Sequence, residues 1–253
     1  MSNLHAPLYV RNIANKGIVI FIHGFMGSPR QFDGFVDVVC TQGCSVAALL
    51  LPGHGGTAED FASGTYELWQ RHVDDEVERY SHNNANIWLV GHSMGGLLAI
   101  NAAVKYSRYV RGIFLIACPF KITTFSLYAA KVRFKQIFSQ KNDPIKAAYR
   151  DSGSVSPSIS LIWRTAKPAL ELRKLMRVAR GNLPELRLPV TAVYSSADEL
   201  TSIKSLDILR SELREAPFEQ VVLTDSLHAY YPQHEWSVIE STLTRAVSTD
   251  DAL

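Results

Sequence analysis

Cysteine is scarce in this chain: three in 253 residues, at positions 40, 44 and 118, each in or beside an apolar segment. So small and odd a count excludes a disulfide framework. It predicts free, buried thiols in a reducing, cytoplasmic compartment. Cys40 and Cys44 lack the second pair a zinc site needs, and no His/Asp/Glu group has metal-ligand spacing, so neither a metal nor a cofactor is expected. Long apolar runs are missing as well. No stretch reaches the roughly eighteen residues of a membrane-spanning helix, and Met1 to Leu8 has no basic segment leading into an apolar one, so no secretory signal is expected. Net charge is only +2, from 26 Lys+Arg against 24 Asp+Glu, which gives no electrostatic reason to expect a nucleic-acid partner. What is plentiful is apolar side chain, 47% of residues, enough to core one large α/β domain carrying an insertion.

The most informative stretch is Ile87-Trp88-Leu89-Val90-Gly91-His92-Ser93-Met94-Gly95-Gly96. Four apolar residues read as a buried strand, and Gly95 to Tyr106 reads as a helix. Between them lies G-x-S-x-G, a strand-to-helix elbow that lifts a serine hydroxyl above the sheet edge. Glycines flank the serine because the turn is too tight for neighbouring side chains. The helix N-terminus that follows favours negative charge beside Ser93.

Apolar runs predict further strands at Leu8–Arg11, Gly17–Ile22, Ser45–Leu50, Val110–Ala117, Leu188–Ser195 and Glu219–Leu223. Helical periodicity appears over Gln31–Gln42, Tyr66–Tyr80, Thr201–Leu213 and Glu235–Val247. This alternation predicts an α/β fold, a mostly parallel twisted sheet flanked by helices. The second strand runs into His23-Gly24-Phe25-Met26-Gly27-Ser28, a turn of the kind that turns a backbone N–H toward a nucleophile. The third runs into the rigid turn Leu51-Pro52-Gly53-His54-Gly55-Gly56. His23 and His54 read as histidines that brace these turns, and His92 as one packed beside the elbow. His5, His72, His82 and His234 read as surface or helix residues.

The pattern changes over 120–187. Strand signals vanish, and helix-like pieces at Leu127–Phe138 and Pro168–Arg180 are separated by Asp143-Pro144 and a Ser/Gly/Pro stretch at Asp151–Ser160. From 121 to 187 there are fourteen Lys/Arg and four Asp/Glu, a net of +10 that leaves about −8 for the rest of the chain. The expected organisation is therefore a core of residues 1–119 and 188–253 with a basic helical cap insertion over 120–187.

Acyl transfer needs a nucleophile, a base, a group that orients the base, and donors for the developing oxyanion. Ser93, Asp198 and His228 occur in that chain order, the last two in loops that follow expected strands. Ser93 is the candidate nucleophile, His228 the base and Asp198 its orienting acid. The backbone N–H groups of Phe25 and Met94 are the candidate oxyanion donors. Glu199 is an alternative orienting acid, and Asp225 reads as a local turn former.

Taken together, the His23-Gly24-Phe25-Met26-Gly27-Ser28, Leu51-Pro52-Gly53-His54-Gly55 and Gly91-His92-Ser93-Met94-Gly95-Gly96 segments, with the Asp198 and Ser226-Leu227-His228 loops, resemble the α/β-hydrolase superfamily. Within it the chain is most similar to bacterial carboxylesterases and monoacylglycerol lipases, over about residues 17–118 and 188–245. That resemblance implies an α/β-hydrolase fold and a serine hydrolase acting on carboxylic esters, with Ser93, Asp198 and His228 as the triad and Phe25 and Met94 as the oxyanion pair. One departure is Ser195-Ser196-Ala197 before the acid, where the group often carries glycine or another small residue. A serine at 93 separates the chain from the haloalkane dehalogenases of this fold, which use aspartate. The expected partner is a small-molecule ester. The basic insertion leaves room for a thioesterase acting on an anionic acyl substrate, or for peripheral contact with an anionic membrane. A non-catalytic binding protein on the same scaffold is the contrasting class.

Overall fold

The computed structural model describes residues 5–82, 86–123, 143–154 and 164–248. Seven strands form one sheet: β1 (Leu8–Val10), β2 (Ile18–Ile22), β3 (Ser45–Leu49), β4 (Ile87–His92), β5 (Val110–Ile116), β6 (Val190–Ser195) and β7 (Phe218–Leu223). Their order is β1-β3-β2-β4-β5-β6-β7. Only the edge pair β1/β3 is antiparallel; every other pair is parallel.

Side chains alternate across each strand, so each strand feeds two cores. From β2, Ile18, Ile20 and Ile22 enter one cluster and Val19 and Phe21 the other. The first cluster is closed by α3 (Tyr66–Ser81) through Trp69, Val73 and Val77, and by α4 (Met94–Lys105), which is buried nearly throughout. The second is closed by α1 (Asp33–Thr41) through Phe35, Val36 and Val39, and by the last helix (Gln233–Val247) through Ile239 and Leu243. Burial on both faces explains why these strands read as continuous apolar runs.

The order places a reversal of winding direction between β2 and β4. In open parallel sheets, the crevice beyond the strand ends at such a reversal is where ligands bind. The His23 turn leaves β2 there, and the Ser93 elbow leaves β4 beside it.

Four local differences from the sequence expectation have physical causes. The helix expected to begin at Gln31 opens earlier, with a 3-10 turn, Pro29–Phe32, before α1; Pro29 starts that turn, where no N–H is needed and its fixed φ suits a helix. A short helix α2 (Ala58–Ala62) is closed by a Thr57/Asp60 capping box that hydrophobic periodicity does not register. Asp143-Pro144, read as a break, instead starts α5 (Pro144–Ser152): Asp143 caps it by accepting from the N–H groups of Ile145 and Lys146, and proline occupies the first turn. Finally, α6 (Ala166–Asn182) falls within the stretch expected as the cap. Its Leu175 and Ala179 join the first core cluster, so the helical layer claims a segment expected in the cap. The helix expected at 127–138 lies outside the described residues. Among the described residues the remaining α-helices are α7 (Lys204–Glu212) and α8 (Gln233–Val247). Among the described residues no helix is long and apolar enough to cross a membrane. The three cysteines are free, and burial raises the thiol pKa of each.

Candidate active site

Ser93 occupies the junction of β4 and α4 with φ 53° and ψ −121°, a conformation a non-glycine residue rarely adopts. The surroundings enforce it. A Cβ at Gly95 would lie 1.8 Å from the carbonyl oxygen of Ile22, and one at Gly91 would lie 2.5 Å from the Gly95 backbone. The elbow is therefore pressed onto the end of β2, and only glycine fits on either side of the serine. Met94 is the first residue of α4, so its N–H has no acceptor within the helix.

The turn after β2 folds over the same spot. A Cβ at Gly24 would meet the Ser93 Cβ at 3.0 Å, so the residue before Phe25 lies against the serine. Gln31 Oε1 accepts from the Gly24 N–H at 2.9 Å and ties the turn down. His23 bridges the two glycine-rich turns: its Nε2 accepts from the Leu51 N–H at 3.0 Å while Nδ1 donates to the Gly24 carbonyl. His54 packs edge-on against His23 and Phe61. Burial drives the His54 pKa down to about 4 and that of His23 well below its ordinary value, so both rings are neutral braces.

Beyond β6, the Asp198 carboxylate meets His228 Nδ1 at 2.8 Å and 3.1 Å, one distance from each oxygen. Asp198 Oδ1 also accepts from the N–H groups of Leu200 and Thr201, both at 2.8 Å. Burial works to raise the Asp198 pKa, but the His228 charge and these hydrogen bonds outweigh it, and the net shift is downward. For His228, burial works to lower the pKa, but Asp198 and the Glu199 charge outweigh it, and the net shift is upward. With Nδ1–H directed at Asp198, the neutral ring keeps its lone pair on Nε2.

His92 links this pair to the elbow. Its Nε2 donates to the His228 carbonyl at 2.8 Å, and the two rings stand 4.8 Å apart between centroids. Burial is the main cause that brings the His92 pKa down to about 3, with the neighbouring His228 adding to it.

Two carboxylates near His228 escaped the sequence reading in whole or in part. Glu199, weighed as the orienting acid, is 1% exposed and does not hold the imidazole. Its Oε2 accepts from the His228 backbone N–H at 3.1 Å, and its Oε1 accepts from the Tyr149 hydroxyl. Glu235, in the first turn of α8, accepts from the N–H groups of Thr224, Asp225 and Ser226 and from the Ser226 hydroxyl, so it grips the loop just ahead of His228. An acid in the first turn of a helix was the one available signal for it. Asp225 points outward to His234 at 3.1 Å. Asp225, His234 and Glu235 are close enough to share a cation, but the Glu235 oxygens are already taken by the loop.

Comparison with known proteins gives the family and the fold. A family model described as serine aminopeptidase, S33, matches residues 13–233. The chain belongs to the serine aminopeptidase S33 family. Among its relatives is the thermostable monoacylglycerol lipase of Bacillus sp. (strain H-257), 24% identical over 88% of this chain and 86% of the lipase. A 2-succinyl-6-hydroxy-2,4-cyclohexadiene-1-carboxylate synthase from Salmonella arizonae is 35% identical over 34% of this chain; the match spans 32% of that synthase. Among solved structures, one from the work on the metagenome-derived lipolytic enzymes LipS and LipT superposes with a TM-score of 0.75 at 21% identity, covering 96% of this chain and 97% of the other. This likeness extends the α/β-hydrolase fold over nearly the whole chain.

Proposed function

We propose that this S33-family member is a serine hydrolase that cleaves carboxylic esters through an acyl-enzyme. The observation that carries the reading is the Asp198–His228 pair at 2.8 Å, joined through His92 to the strained elbow bearing Ser93. In the proposed cycle the Ser93 Oγ attacks the ester carbonyl carbon as its proton passes to His228 Nε2. The carbonyl electron pair moves to oxygen, where the N–H groups of Phe25 and Met94 receive it. Collapse breaks the carbon–oxygen bond to the alcohol, which leaves with the proton from Nε2. Water then repeats the sequence on the acyl-enzyme and releases the carboxylic acid. Asp198 holds the imidazole tautomer throughout and balances the imidazolium.

The monoacylglycerol lipase relative supports an ester with an apolar acyl group as substrate, and the free cysteines suit a reducing, cytoplasmic compartment. The insertion over 120–187 serves in this reading as a basic cap over the site. The serine aminopeptidase description of the family makes peptide-bond cleavage a reading to test, and the fourteen basic residues of 121–187 favour a thioester with an anionic carrier as the alternative.

The test is a panel of short to long acyl oxyesters, matched thioesters over a salt series, and amino-acid anilides, with a fluorophosphonate label mapped by mass spectrometry. Oxyester turnover with the label on Ser93 is expected. A salt-sensitive preference for thioesters would replace the substrate class, and labelling elsewhere would remove the mechanism.

A further inference from the structure

α5 reaches both halves of the site with adjacent residues. Towards the turn after β2, Ser154 donates its N–H to the Met26 carbonyl at 2.9 Å, Ser28 donates its hydroxyl to the Ser152 carbonyl at 3.3 Å, and Gly27 and Gly153 form an antiparallel bridge. Towards the loop after β7, Tyr149 donates to Glu199, whose other oxygen accepts from the His228 N–H. A segment from Tyr149 to Ser154 thus touches the backbone around the candidate oxyanion donor on one side and the residue bearing the candidate base on the other. None of these contacts involves the Ser93, Asp198 or His228 side chains.

Glu199 is suited to transmit position. It is nearly fully buried and its two oxygens serve two partners from different elements. A carboxylate acceptor makes a stronger hydrogen bond than a neutral one. The backbone of His228 is therefore held at its N–H by Glu199 and at its carbonyl by His92. With both peptide groups fixed, the imidazole can swing only about its own side-chain torsions, and Asp198 limits that.

We propose that Tyr149 and Glu199 are positioning residues for His228, coupling the docking of α5 to the placement of the base. The proposal rests on the serine-hydrolase reading above. With α5 packed as observed, the base loop and the turn after β2 are both tied to the segment from Tyr149 to Ser154.

The experiment compares the full-length parent with Tyr149→Phe, Tyr149→Ala and Glu199→Gln. Readouts are kcat and KM for a p-nitrophenyl ester across pH, thermal unfolding, and fluorophosphonate labelling of Ser93. Tyr149→Phe removes one oxygen and keeps the ring. It is expected to lower kcat on the order of tenfold with KM within about twofold, and to do no better than Tyr149→Ala. Glu199→Gln keeps an acceptor but removes the charge. The groups around His228 are Asp198, Glu199 and His92, with Tyr149 and Tyr231 facing Glu199. Losing the Glu199 charge is expected to move the acid limb of kcat/KM to lower pH, whereas Tyr149→Phe leaves that charge and does not lower the limb. Full activity in Tyr149→Phe where Tyr149→Ala has lost it would reduce Tyr149 to packing and overturn the proposal. So would parental kcat in Tyr149→Phe together with an unmoved limb in Glu199→Gln. If Glu199→Gln does not fold, the Tyr149 pair decides. A parent that neither turns over ester nor labels at Ser93 removes the underlying reading instead.

Discussion

His92 Nε2 donates to the carbonyl oxygen of His228 at 2.8 Å, across 136 positions of sequence. The residue before the candidate nucleophile therefore fixes the backbone of the candidate base. The ring must be neutral, with its proton on Nε2, and burial ensures this by holding its pKa near 3. His92→Ala should consequently reduce kcat more than it raises KM, by about tenfold to a hundredfold. His92→Gln, whose amide can still donate, should recover part of the loss. Equal kcat in the two variants, measured at saturating ester, would argue against this hydrogen bond.

Three buried histidines give a pH prediction for stability. His23, His54 and His92 all have folded pKa values below the ordinary 6.5, the last two near 4 and 3. The unfolded chain binds protons at these positions that the folded chain refuses. Stability contributed by the neutral rings is thus present above pH 6.5 and is lost as pH falls from there towards about 4. Each contributes a slope of roughly 1.4 kcal/mol per pH unit inside that window. His228 has the opposite sign, because its raised value favours the folded state at lower pH. Urea midpoints should therefore fall steeply below pH 6.5, and His54→Phe should flatten the slope by about one group. A midpoint constant from pH 7 to pH 5 would contradict the assignment.

Two glycine substitutions should behave in opposite ways. Gly95→Ala places a methyl group 1.8 Å from the Ile22 carbonyl oxygen, a backbone atom that cannot yield. It is expected to cost roughly 3 kcal/mol or more, or to prevent folding. Gly181→Ala, in the last turn of α6, meets nothing within 4 Å and should stabilise by about 0.5 kcal/mol through helix propensity. Thermal melts of the two proteins read both signs.

Asp198 and Glu199 are adjacent acids with separate work, and substitution should separate them. Asp198→Asn removes the acceptor of His228 Nδ1–H and favours the wrong tautomer, so kcat is expected to fall by about 10⁴. Glu199 cannot replace it, because its oxygens are directed to the His228 backbone and to Tyr149. An Asp198→Asn variant with activity within tenfold of the parent would assign the orienting role elsewhere.

Glu235→Gln addresses the loop before His228. The carboxylate accepts from three consecutive backbone N–H groups. Burial works to raise its pKa, but these hydrogen bonds and that of Ser226 prevail and lower it. An amide presents an N–H where an acceptor is required, leaving donors without partners at about 1–3 kcal/mol. A lower melting temperature is expected, with Ser93 still labelled.

Much of this protein is legible along the chain. The parallel strands are visible because burial on both faces demands uninterrupted apolar runs, and the elbow because a strained serine between packed elements requires glycine at 91 and 95. The order Ser93, Asp198, His228 follows from where the strands end. The sequence favours Asp198 over Glu199 as the acid that meets the imidazole, but it could not supply the separate work of Glu199, since adjacent side chains diverge and its partners, the His228 backbone and Tyr149, come from distant segments. Nor could it place α6 in the core layer or assign Glu235 to its loop. Short-range pattern records how a segment must be buried, because burial acts on each residue where it stands. Pairing between segments is decided only once the sheet order brings their ends together, and that order is a property of the folded chain.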